Sequence, residues 1–565
     1  MEMTGAEAIL ACLKAEQVPV VFGYPGGAVL GLYDAIYKTH FPHILTGHEQ
    51  GAIHAADGYA RATGKVGVCI ATSGPGVCNM VTGIATANMD SIPLVIISGQ
   101  VATSLIGQDA FQEADTAGIT TPITKYNYLV RKVENLPQVL KEAFYIARTG
   151  RPGPVLIDIV TDVFDARLDF QYPNEVHLLG YQGSQHARQA DVQRAAEALR
   201  RARRPVIMAG GGVILSETAG ELTALAEKTG IPVVTTLMGK GAIPDSLPQN
   251  LGMLGMHGSY AANMAVSGCD LLLAFGVRFD ERSTAKAGLF APAARIVHFN
   301  VEPGEINKII PVQVAVPGDL KESLPLFSQL VEPLAEEFRE QVAPWREQAE
   351  EMKAEIPCSA HACQGGISPE IALKQAAARA PRDTIVVTDV GQHQMWAAQF
   401  FPTEQPRHFL TSGGLGTMGF GLPAALGAKV GEPEKTVLLI TGDGSILMNC
   451  QEFTTLPTYG IQVKTIVLKN GQLGMVRQLQ GLFRGGRYSQ TKLIRKPSMA
   501  KIAEAMGIPS RSISRSEELA EGLDFLFGSE DSALLEITIP EDERVYPVVP
   551  GSKGLDQMIL GPEEK

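Results

Sequence analysis

Short apolar runs alternate with glycine turns and helix-like stretches along most of the chain. In the first part, the apolar residues 18–22, 67–72 and 94–97 each lead into a glycine-containing turn. Continuous apolar runs of this length are typical of strands that are buried on both faces of a parallel sheet. The repeated order of strand, glycine turn and helix therefore predicts an α/β fold built from doubly wound parallel sheets.

The same pattern recurs in three blocks that are separated by polar stretches. We expect an N-terminal domain over residues 1–165, a central domain over 189–342, a C-terminal domain over 366–540 and a tail over 541–565. A domain holds ~150 residues on average, so a chain of 565 residues has room for about three or four. Three similar α/β domains are therefore predicted.

The third block contains the stretch with the clearest chemistry. Two apolar runs, Val437–Ile440 and Thr465–Leu468, end close to Asp443 and Asn470. Ligands bind at the carboxyl ends of strands in doubly wound sheets, so both side chains are expected at one binding edge. A carboxylate and an amide oxygen suit Mg²⁺, and amides of the following segment, predicted to be helical, would hold phosphates. The alternative is a plain strand-to-helix turn, where Asp and Gly are also favoured.

Composition and charge narrow the classes of function. Hydrophobic residues make up 45% of the chain and charged residues 19%, as in a globular protein with a large core. The net charge of −12 predicts no binding to nucleic acid or to an anionic membrane, and no apolar run reaches the ~18 residues of a membrane span. Thr4 to Glu7 form a capping-box pattern that opens a helix, so neither a signal nor a transit peptide is expected.

The seven cysteines are scattered along the chain, and an odd number argues against a complete disulfide framework. The nearest cluster, Cys358 and Cys363 with His361, lies in a polar linker and is not expected to bind a metal. Free thiols fit a reducing compartment, so we expect a cytoplasmic protein.

Two motifs resemble those of thiamine-diphosphate (ThDP) enzymes. The GDG sequence around Asp443, followed by Asn470, is similar to the diphosphate motif of that family, which implies that both residues and the carbonyl of Gln472 bind Mg²⁺. Residues 48–79 resemble the pyrimidine-binding domain. There the glutamate that matches Glu49 hydrogen-bonds N1′ of the aminopyrimidine and so promotes loss of the thiazolium C2 proton. Taken alone, an acidic residue at a helix start is more often a partner of the helix dipole.

Within that family the chain resembles the acetohydroxyacid (acetolactate) synthases over nearly its whole length. The motifs that carry the resemblance are GYPGGA at 23–28, IGQDAFQE at 106–113, GRPGPV at 150–155, LGMLGMHG at 251–258, TDVGQHQMW at 388–396, GGLGTMGFGLP at 413–423 and LGMVRQ at 473–478. They imply decarboxylation of pyruvate and carboligation to a second 2-oxo acid, pyruvate or 2-oxobutyrate, in branched-chain amino acid biosynthesis. The products would be 2-acetolactate or 2-aceto-2-hydroxybutyrate.

The resemblance also implies a role for each domain and for particular residues. The three domains would bind, in order, the pyrimidine, FAD, and the diphosphate with Mg²⁺. ThDP would be held by Val390, Gly391, Gln392, His393, Gly416, Met418, Gly444, Ser445 and Met475. FAD, which biosynthetic members keep without an evident redox role, would be held by Arg151, Gly210, Gly211, Gly212, Thr236, Leu237, Met238, His257, Gly276, Arg278, Asn300 and Asp319. Catalytic residues would be Glu49, Gly27, Phe111 and Gln112, and the second substrate would meet Arg282, Met256, Val476 and Leu479.

Four positions depart from the family pattern near the expected substrate channel. They are Ala102 in place of Pro, Thr161 in place of Lys, Glu281 in place of Asp and Leu479 in place of Trp. In relatives the indole at the last position walls the pocket for the second 2-oxo acid, and planar herbicides stack against it. We therefore expect a channel of different shape, a stronger preference for pyruvate as second substrate, and herbicide resistance.

The resemblance extends to assembly. Glu49 and the Asp443–Asn470 motif lie in different blocks and, in this family, meet across a subunit interface, so a homodimer or homotetramer is expected. The resemblance does not decide whether a regulatory small subunit also binds. The alternatives to a carboligase are another ThDP-dependent 2-oxo acid decarboxylase or oxidase, a catabolic acetolactate synthase without FAD, and a non-catalytic nucleotide-binding or regulatory protein.

Overall fold

The computed structural model describes residues 2–183, 186–355, 366–493 and 497–561, and all structural statements refer to these. Three six-stranded sheets form its framework, and all strand pairs within them are parallel. The predicted α/β architecture of three parallel-sheet domains is therefore confirmed. Within the described ranges, no helix combines the length and apolar character that crossing a bilayer requires. The Cys358–Cys363 cluster lies outside them.

The N-terminal sheet has the strand order His43–Leu45, Val21–Gly23, Gly67–Ala71, Leu94–Gln100, Pro154–Val160 and Tyr126–Val130. A separate antiparallel pair joins Glu2–Thr4 and Arg167–Asp169. The helices of this domain are Gly5–Ala15, Leu30–Thr39, Glu49–Thr63, Pro75–Asp90, Thr116–Thr120, Leu136–Arg148 and Thr161–Asp165. The first of them begins with the predicted capping box, since Thr4 and Glu7 exchange hydrogen bonds between side chain and backbone.

The central sheet has the strand order Asn250–Met253, Val233–Thr235, Pro205–Ala209, Leu271–Phe275, Arg295–Asn300 and Val314–Pro317. Its helices are Gln189–Arg200, Gly211–Leu215, Ala219–Thr229, Tyr260–Gly268, Glu281–Thr284, Leu320–Val331, Ala335–Gln341 and Ala343–Glu355. The C-terminal tail packs on this domain. Val549 and Leu555 of the tail join a core cluster of central-domain side chains, and the carbonyl of Pro547 contacts His257 Nδ1 at 3.1 Å.

The C-terminal sheet has the strand order Phe409–Leu410, Ile385–Thr388, Val437–Gly442, Lys464–Lys469, Ala533–Thr538 and Ser510–Ile513. Its helices are Pro369–Arg379, Gln392–Phe400, Gly421–Gly431, Thr455–Thr458, Gly474–Phe483, Met499–Ala505 and Leu519–Gly528.

The segment after the GDG turn, predicted to be helical, is helical but does not form a regular α-helix directly after the turn. Two 3₁₀ turns, Ile446–Met448 and Cys450–Phe453, stand there instead. Between them Asn449 leaves the helical region, with φ −140°, and its Nδ2 donates to the Gly419 carbonyl at 2.7 Å. The Asn449 backbone keeps 3₁₀-type bonds to Ile446 and Glu452, while its side chain makes a tertiary contact.

The N- and C-terminal domains share one core. The helices Glu49–Thr63 and Gly421–Gly431 cross with their backbones in contact. A Cβ atom at Gly58 would lie 2.1 Å from the Ala424 carbonyl oxygen, and one at Gly427 would lie 1.8 Å from that of Ala55. Side chains from both domains, on these helices and on the sheets beneath them, form a single buried hydrophobic cluster. The two domains therefore form one packed unit.

Substituting Gly427 with Ala is expected to lower the melting temperature, because the new methyl group must force two backbones apart and overpacking costs about 1–3 kcal/mol. Gly220→Ala is the matched control, since its Cβ would meet nothing within 4 Å on a helix, where Ala is favoured over Gly. Thermal unfolding followed by circular dichroism compares the two. A Gly427→Ala protein that melts together with the control would contradict the backbone contact.

Candidate active site

The strand ends of the C-terminal sheet bring Asp443 and Asn470 side by side. Each directly follows one of two neighbouring parallel strands. Asp443 Oδ2 accepts a hydrogen bond from the Gly471 amide at 3.0 Å, and Asn470 Oδ1 accepts one from the Gln472 amide at 3.0 Å. Both side chains are buried. Both residues therefore lie at one edge of the sheet, as predicted, and their binding role stays a prediction.

This arrangement fits a hard divalent cation. Burial raises the pKa of Asp443 to about 6, so a nearby cation would stabilise its charged form. Gln472 Oε1 is buried without a hydrogen-bond partner, and Gly444 and Ser445 complete the turn. The described residues contain no group of three or more His, Cys, Asp and Glu side chains with metal-binding geometry. A cation here therefore needs amide and carbonyl oxygens besides the one carboxylate, a donor set that suits Mg²⁺.

His393 and Gln392 begin a helix beside this edge. The His393 ring occupies space left by two glycines, because a Cβ at Gly391 would lie 2.9 Å from its Cε1 and one at Gly442 would lie 2.7 Å from its Nδ1. Burial lowers the pKa of His393 to about 3, so the imidazole is neutral, and its Nε2 has no partner within the protein. Gln392 Nε2 donates to Glu543 O at 2.8 Å. The buried imidazole nitrogen can serve as a donor to a bound phosphate.

Asp389, which the sequence analysis did not single out, ties neighbouring loops together. Its Oδ1 accepts hydrogen bonds from the amides of Val390 at 3.0 Å and Gly419 at 2.9 Å. The loop that carries Gly416 and Met418 is thereby fixed to the strand end. Burial raises the pKa of Asp389 to about 6. The signal that marked Asp443, an aspartate directly after a buried strand, was available for this residue too.

A cavity of about 660 Å³ joins the C-terminal loops to the central domain. Of the residues expected to contact ThDP, its lining includes Val390, Gly391, Gly416, Met418 and Met475. Of those expected to contact FAD, it includes Arg151, Gly211, Gly212, Thr236, Leu237, Met238, His257, Gly276, Arg278, Asn300 and Asp319. The expected second-substrate residues Arg282, Met256, Val476 and Leu479 also line it. The structure thus gathers residues of three proposed roles around one space.

The volume and lining of the cavity fit a dinucleotide. Gly210 does not line the cavity. The turn that it begins contacts Gly276, because a Cβ at Gly212 would lie 2.6 Å from the Gly276 Cα. Any side chain larger than hydrogen at Gly212 would therefore clash with the backbone at Gly276. The Asn300 side chain is engaged within the protein, since its Nδ2 donates to Val277 O at 2.7 Å.

An ion cluster from the N-terminal domain holds the loop at the cavity's edge. Asp90 accepts hydrogen bonds from the amides of Gly413 at 3.2 Å and Gly414 at 2.8 Å. Arg61 pairs with Asp90 at 2.9 Å and also with Asp57, and all three side chains are buried. This cluster was missed because the loop that it holds comes more than 300 residues later in the chain. It fixes the position of a C-terminal loop from the N-terminal domain.

Glu49 is buried at the start of the helix Glu49–Thr63, as predicted. Its Oε2 accepts a hydrogen bond from Asn79 Nδ2 at 3.0 Å. Both carboxylate oxygens of the buried Glu452 accept from the Gly47 amide at 3.0 Å, so the C-terminal domain fixes the turn before Glu49. Neither Asn79 nor Glu452 was singled out from the sequence.

The predicted catalytic residues of the N-terminal domain do not line the cavity of their own chain. Glu49, Gly27, Phe111 and Gln112 are all outside its lining. The Phe111 side chain is 89% exposed, and a Cβ at Gly27 would meet nothing within 4 Å. Gln392, His393, Gly444, Ser445, Asp443, Asn470 and Gln472 also lie outside the lining. The lining of this cavity therefore includes neither the predicted catalytic residues of the N-terminal domain nor the predicted diphosphate anchor.

Comparisons with known proteins identify relatives of the whole chain. Family models of thiamine pyrophosphate enzymes match residues 3–119 (N-terminal TPP binding domain), 192–326 (central domain) and 389–537 (C-terminal TPP binding domain). The chain is 46% identical to the probable acetolactate synthase large subunit of Methanocaldococcus jannaschii, over 98% of this chain and 94% of the relative. It is 46% identical to the acetolactate synthase large subunit of Corynebacterium glutamicum, over 99% and 91%. It is 44% identical to the acetolactate synthase isozyme 2 large subunit of Escherichia coli, over 99% of each.

Proposed function

The chain belongs to the acetolactate synthase large subunits, a family of thiamine-diphosphate enzymes, and on this premise we propose how its residues perform the reaction. Pyruvate loses CO₂, and its remaining two-carbon unit joins a second 2-oxo acid. Pyruvate as acceptor gives 2-acetolactate, and 2-oxobutyrate gives 2-aceto-2-hydroxybutyrate. The observation that carries the proposal is the pairing of Asp443 and Asn470 at adjacent strand ends.

Bound thiamine diphosphate supplies the electron sink that loss of CO₂ from a 2-oxo acid requires. Asp443, Asn470 and the Gln472 carbonyl would hold Mg²⁺, while the neutral His393 would donate to a phosphate oxygen. Glu49, whose Oε2 is fixed by Asn79, would share the proton at N1′ of the aminopyrimidine. These roles divide anchoring and proton transfer between two domains.

Arg282 is the candidate for binding the carboxylate of the second 2-oxo acid. Its Nη1 contacts Sδ of Met256 at 2.9 Å, and a thioether is only a weak acceptor. A carboxylate that enters the cavity would be a far stronger one. Arg can bind it through two parallel hydrogen bonds, which fixes the orientation of the acceptor.

Further proposals concern FAD, the oligomeric state, a regulatory subunit and the cellular location. We propose FAD as the occupant of the central part of the cavity, with no redox step assigned to it. The separation of Phe111 and Glu49 from the cavity of their own chain supports a homodimer that completes each site from two chains, in which two dimers could form a tetramer. The relatives are named large subunits, so a regulatory small subunit is a further proposed partner. The cysteines that the structure describes are free thiols, which fits the proposed cytoplasmic location.

Product analysis tests the proposed function directly. The purified protein with ThDP and Mg²⁺ should form 2-acetolactate from pyruvate, and both acetohydroxy acids when 2-oxobutyrate is added. Acetaldehyde or acetate as the sole product would instead indicate a decarboxylase or an oxidase. The protein should also be yellow, and release of flavin on denaturation identifies FAD. An active enzyme that shows no flavin spectrum would contradict the proposal that FAD occupies the central part of the cavity.

Leu479→Trp is expected to raise the preference for 2-oxobutyrate over pyruvate and the affinity for planar sulfonylurea-type inhibitors. Leu479 lines the cavity, and an indole offers a rigid apolar face of roughly 150–250 Å². One methylene in a fitted pocket is worth ~1–3 kcal/mol, so the preference should rise by about tenfold or more. Competition between the two 2-oxo acids and inhibitor titration measure the two effects.

Phe483→Trp is the matched control for that substitution. Phe483 ends the same helix, Gly474–Phe483, but does not line the cavity. This variant should leave both the substrate preference and the inhibitor affinity unchanged. If Leu479→Trp behaves like the control, Leu479 does not form the wall of the acceptor pocket.

A further inference from the structure

In the exposed loop 107–113, the carboxylate of Glu113 accepts hydrogen bonds from the loop's own backbone. Glu113 accepts hydrogen bonds from the amides of Gly107 and Ala110, the latter at 2.9 Å. Together with the two amides between them, these bonds hold the pKa of Glu113 below its usual range. Successive backbone N–H groups that curl around an anion form an anion-binding nest. Here the anion is a side chain of the same loop.

The backbone of this loop needs such an anchor. Gly107, Asp109 and Gln112 have φ values of +80°, +53° and +59°. The left-handed region is unfavourable for residues other than glycine, so the last two persist only where the surroundings impose them. Gln112 also packs on the turn before the helix Pro75–Asp90, because a Cβ at Gly74 would lie 2.7 Å from the Gln112 carbonyl oxygen.

The anchored loop holds Phe111 out into solvent. Its two neighbours are both fixed. The Ala110 amide donates a hydrogen bond to Glu113, and the Gln112 backbone has a left-handed conformation. The Phe111 side chain is 89% exposed, so its ring is free to contact another surface. Under the proposed function, that surface is the cavity of the second copy in the dimer.

We propose that Glu113 is a positioning residue for the second 2-oxo acid: it fixes the loop that carries Phe111 and Gln112 against the acceptor in the partner's cavity. The proposal rests on the proposed function for the acceptor and for the two-chain site. Glu113 acts through the loop. Glu49, the proposed proton-transfer residue, is held by Asn79 instead.

The test uses Glu113→Gln in the full-length holoenzyme. Gln keeps the shape but offers one weaker acceptor in place of two charged oxygens, so amide hydrogen exchange at residues 107–110 should accelerate. The KM for 2-oxobutyrate as acceptor should rise about tenfold, because the loop no longer presents its residues in a fixed position. Exchange of the thiazolium C2 proton should not change. Glu134→Gln, which removes an exposed carboxylate of the same domain, is the control and should match the wild type in all three measurements.

Each other outcome overturns the proposal. Unchanged amide exchange at 107–110 would show that Glu113 does not anchor the loop. Faster amide exchange with an unchanged acceptor KM would show that the anchoring does not position the acceptor. A parallel fall in C2 exchange and turnover would place Glu113 in the first half of the reaction. A wild type that forms no acetohydroxy acid would overturn the proposed function, and this proposal with it, whereas the other three outcomes leave the proposed function intact.

Discussion

Replacing Glu49 with Gln is expected to lower turnover and exchange of the thiazolium C2 proton together, by about 10²–10⁴-fold. The amide keeps the shape of the side chain but cannot share a proton with N1′ of the aminopyrimidine as a carboxylate does. Asn79 donates to Glu49 Oε2, so an amide oxygen at the same place can still accept this bond and the helix start should stay in position. Proton exchange by NMR and steady-state turnover measure the two effects.

Binding of ThDP is the control for the Glu49 variant. The diphosphate anchor of Asp443 and Asn470 is in another domain, so the ThDP affinity of the variant should stay near that of the wild type. Titration of the apoenzyme with ThDP and Mg²⁺ gives this affinity. Normal C2 exchange in Glu49→Gln would show that another group performs the proton transfer.

Mixing Glu49→Ala chains with Asp443→Ala chains, each inactive alone, is expected to restore activity to roughly a quarter of the wild-type value for random dimers. Half of the dimers would contain one chain of each kind, and each of these would have one intact site. The expectation rests on the proposed two-chain site, which is supported by Phe111, an exposed side chain that does not line the cavity of its own chain. Turnover is measured on the mixture, and heterodimers isolated through two different affinity tags should reach about half of the wild-type value.

A mixture of Glu49→Ala and Glu49→Gln chains is the control for this experiment. Both changes affect the same half of the site, so no combination of the two chains gives an intact one. This mixture should stay inactive. If confirmed heterodimers of the Glu49→Ala and Asp443→Ala chains are also inactive, the two halves do not meet across a subunit interface.

The parts of the site that depend on local sequence were predictable. Asp443 and Asn470 follow buried strands and Glu49 begins a helix, and each of these positions follows from the apolar runs beside it. Glu452 and Asp90 were not predictable, because their partners, Gly47 and Gly414, are in another domain and only the folded chain brings them near.

The form of the helical segment after the GDG turn, two 3₁₀ turns, could not be predicted for a related reason. The segment has a helix-like pattern, but the bond from Asn449 to Gly419 is a tertiary contact that local periodicity does not reveal. The proposed division of the site between two chains would likewise depend on surfaces that only an assembly brings together. The sequence pattern alone assigned residues to roles but could not say which of them share a cavity.

The backbone contact between the helices Glu49–Thr63 and Gly421–Gly431 has a consequence for biosynthesis of the protein. On the ribosome, the face of the N-terminal domain that this contact covers emerges long before its partner helix. At ~5–20 residues per second, synthesis of the intervening chain takes on the order of tens of seconds. The nascent chain carries an uncovered apolar surface during that time. We therefore expect the yield of this protein in cells to depend on chaperones that bind nascent chains. This dependence should be stronger than for a protein in which each domain buries its own apolar surface.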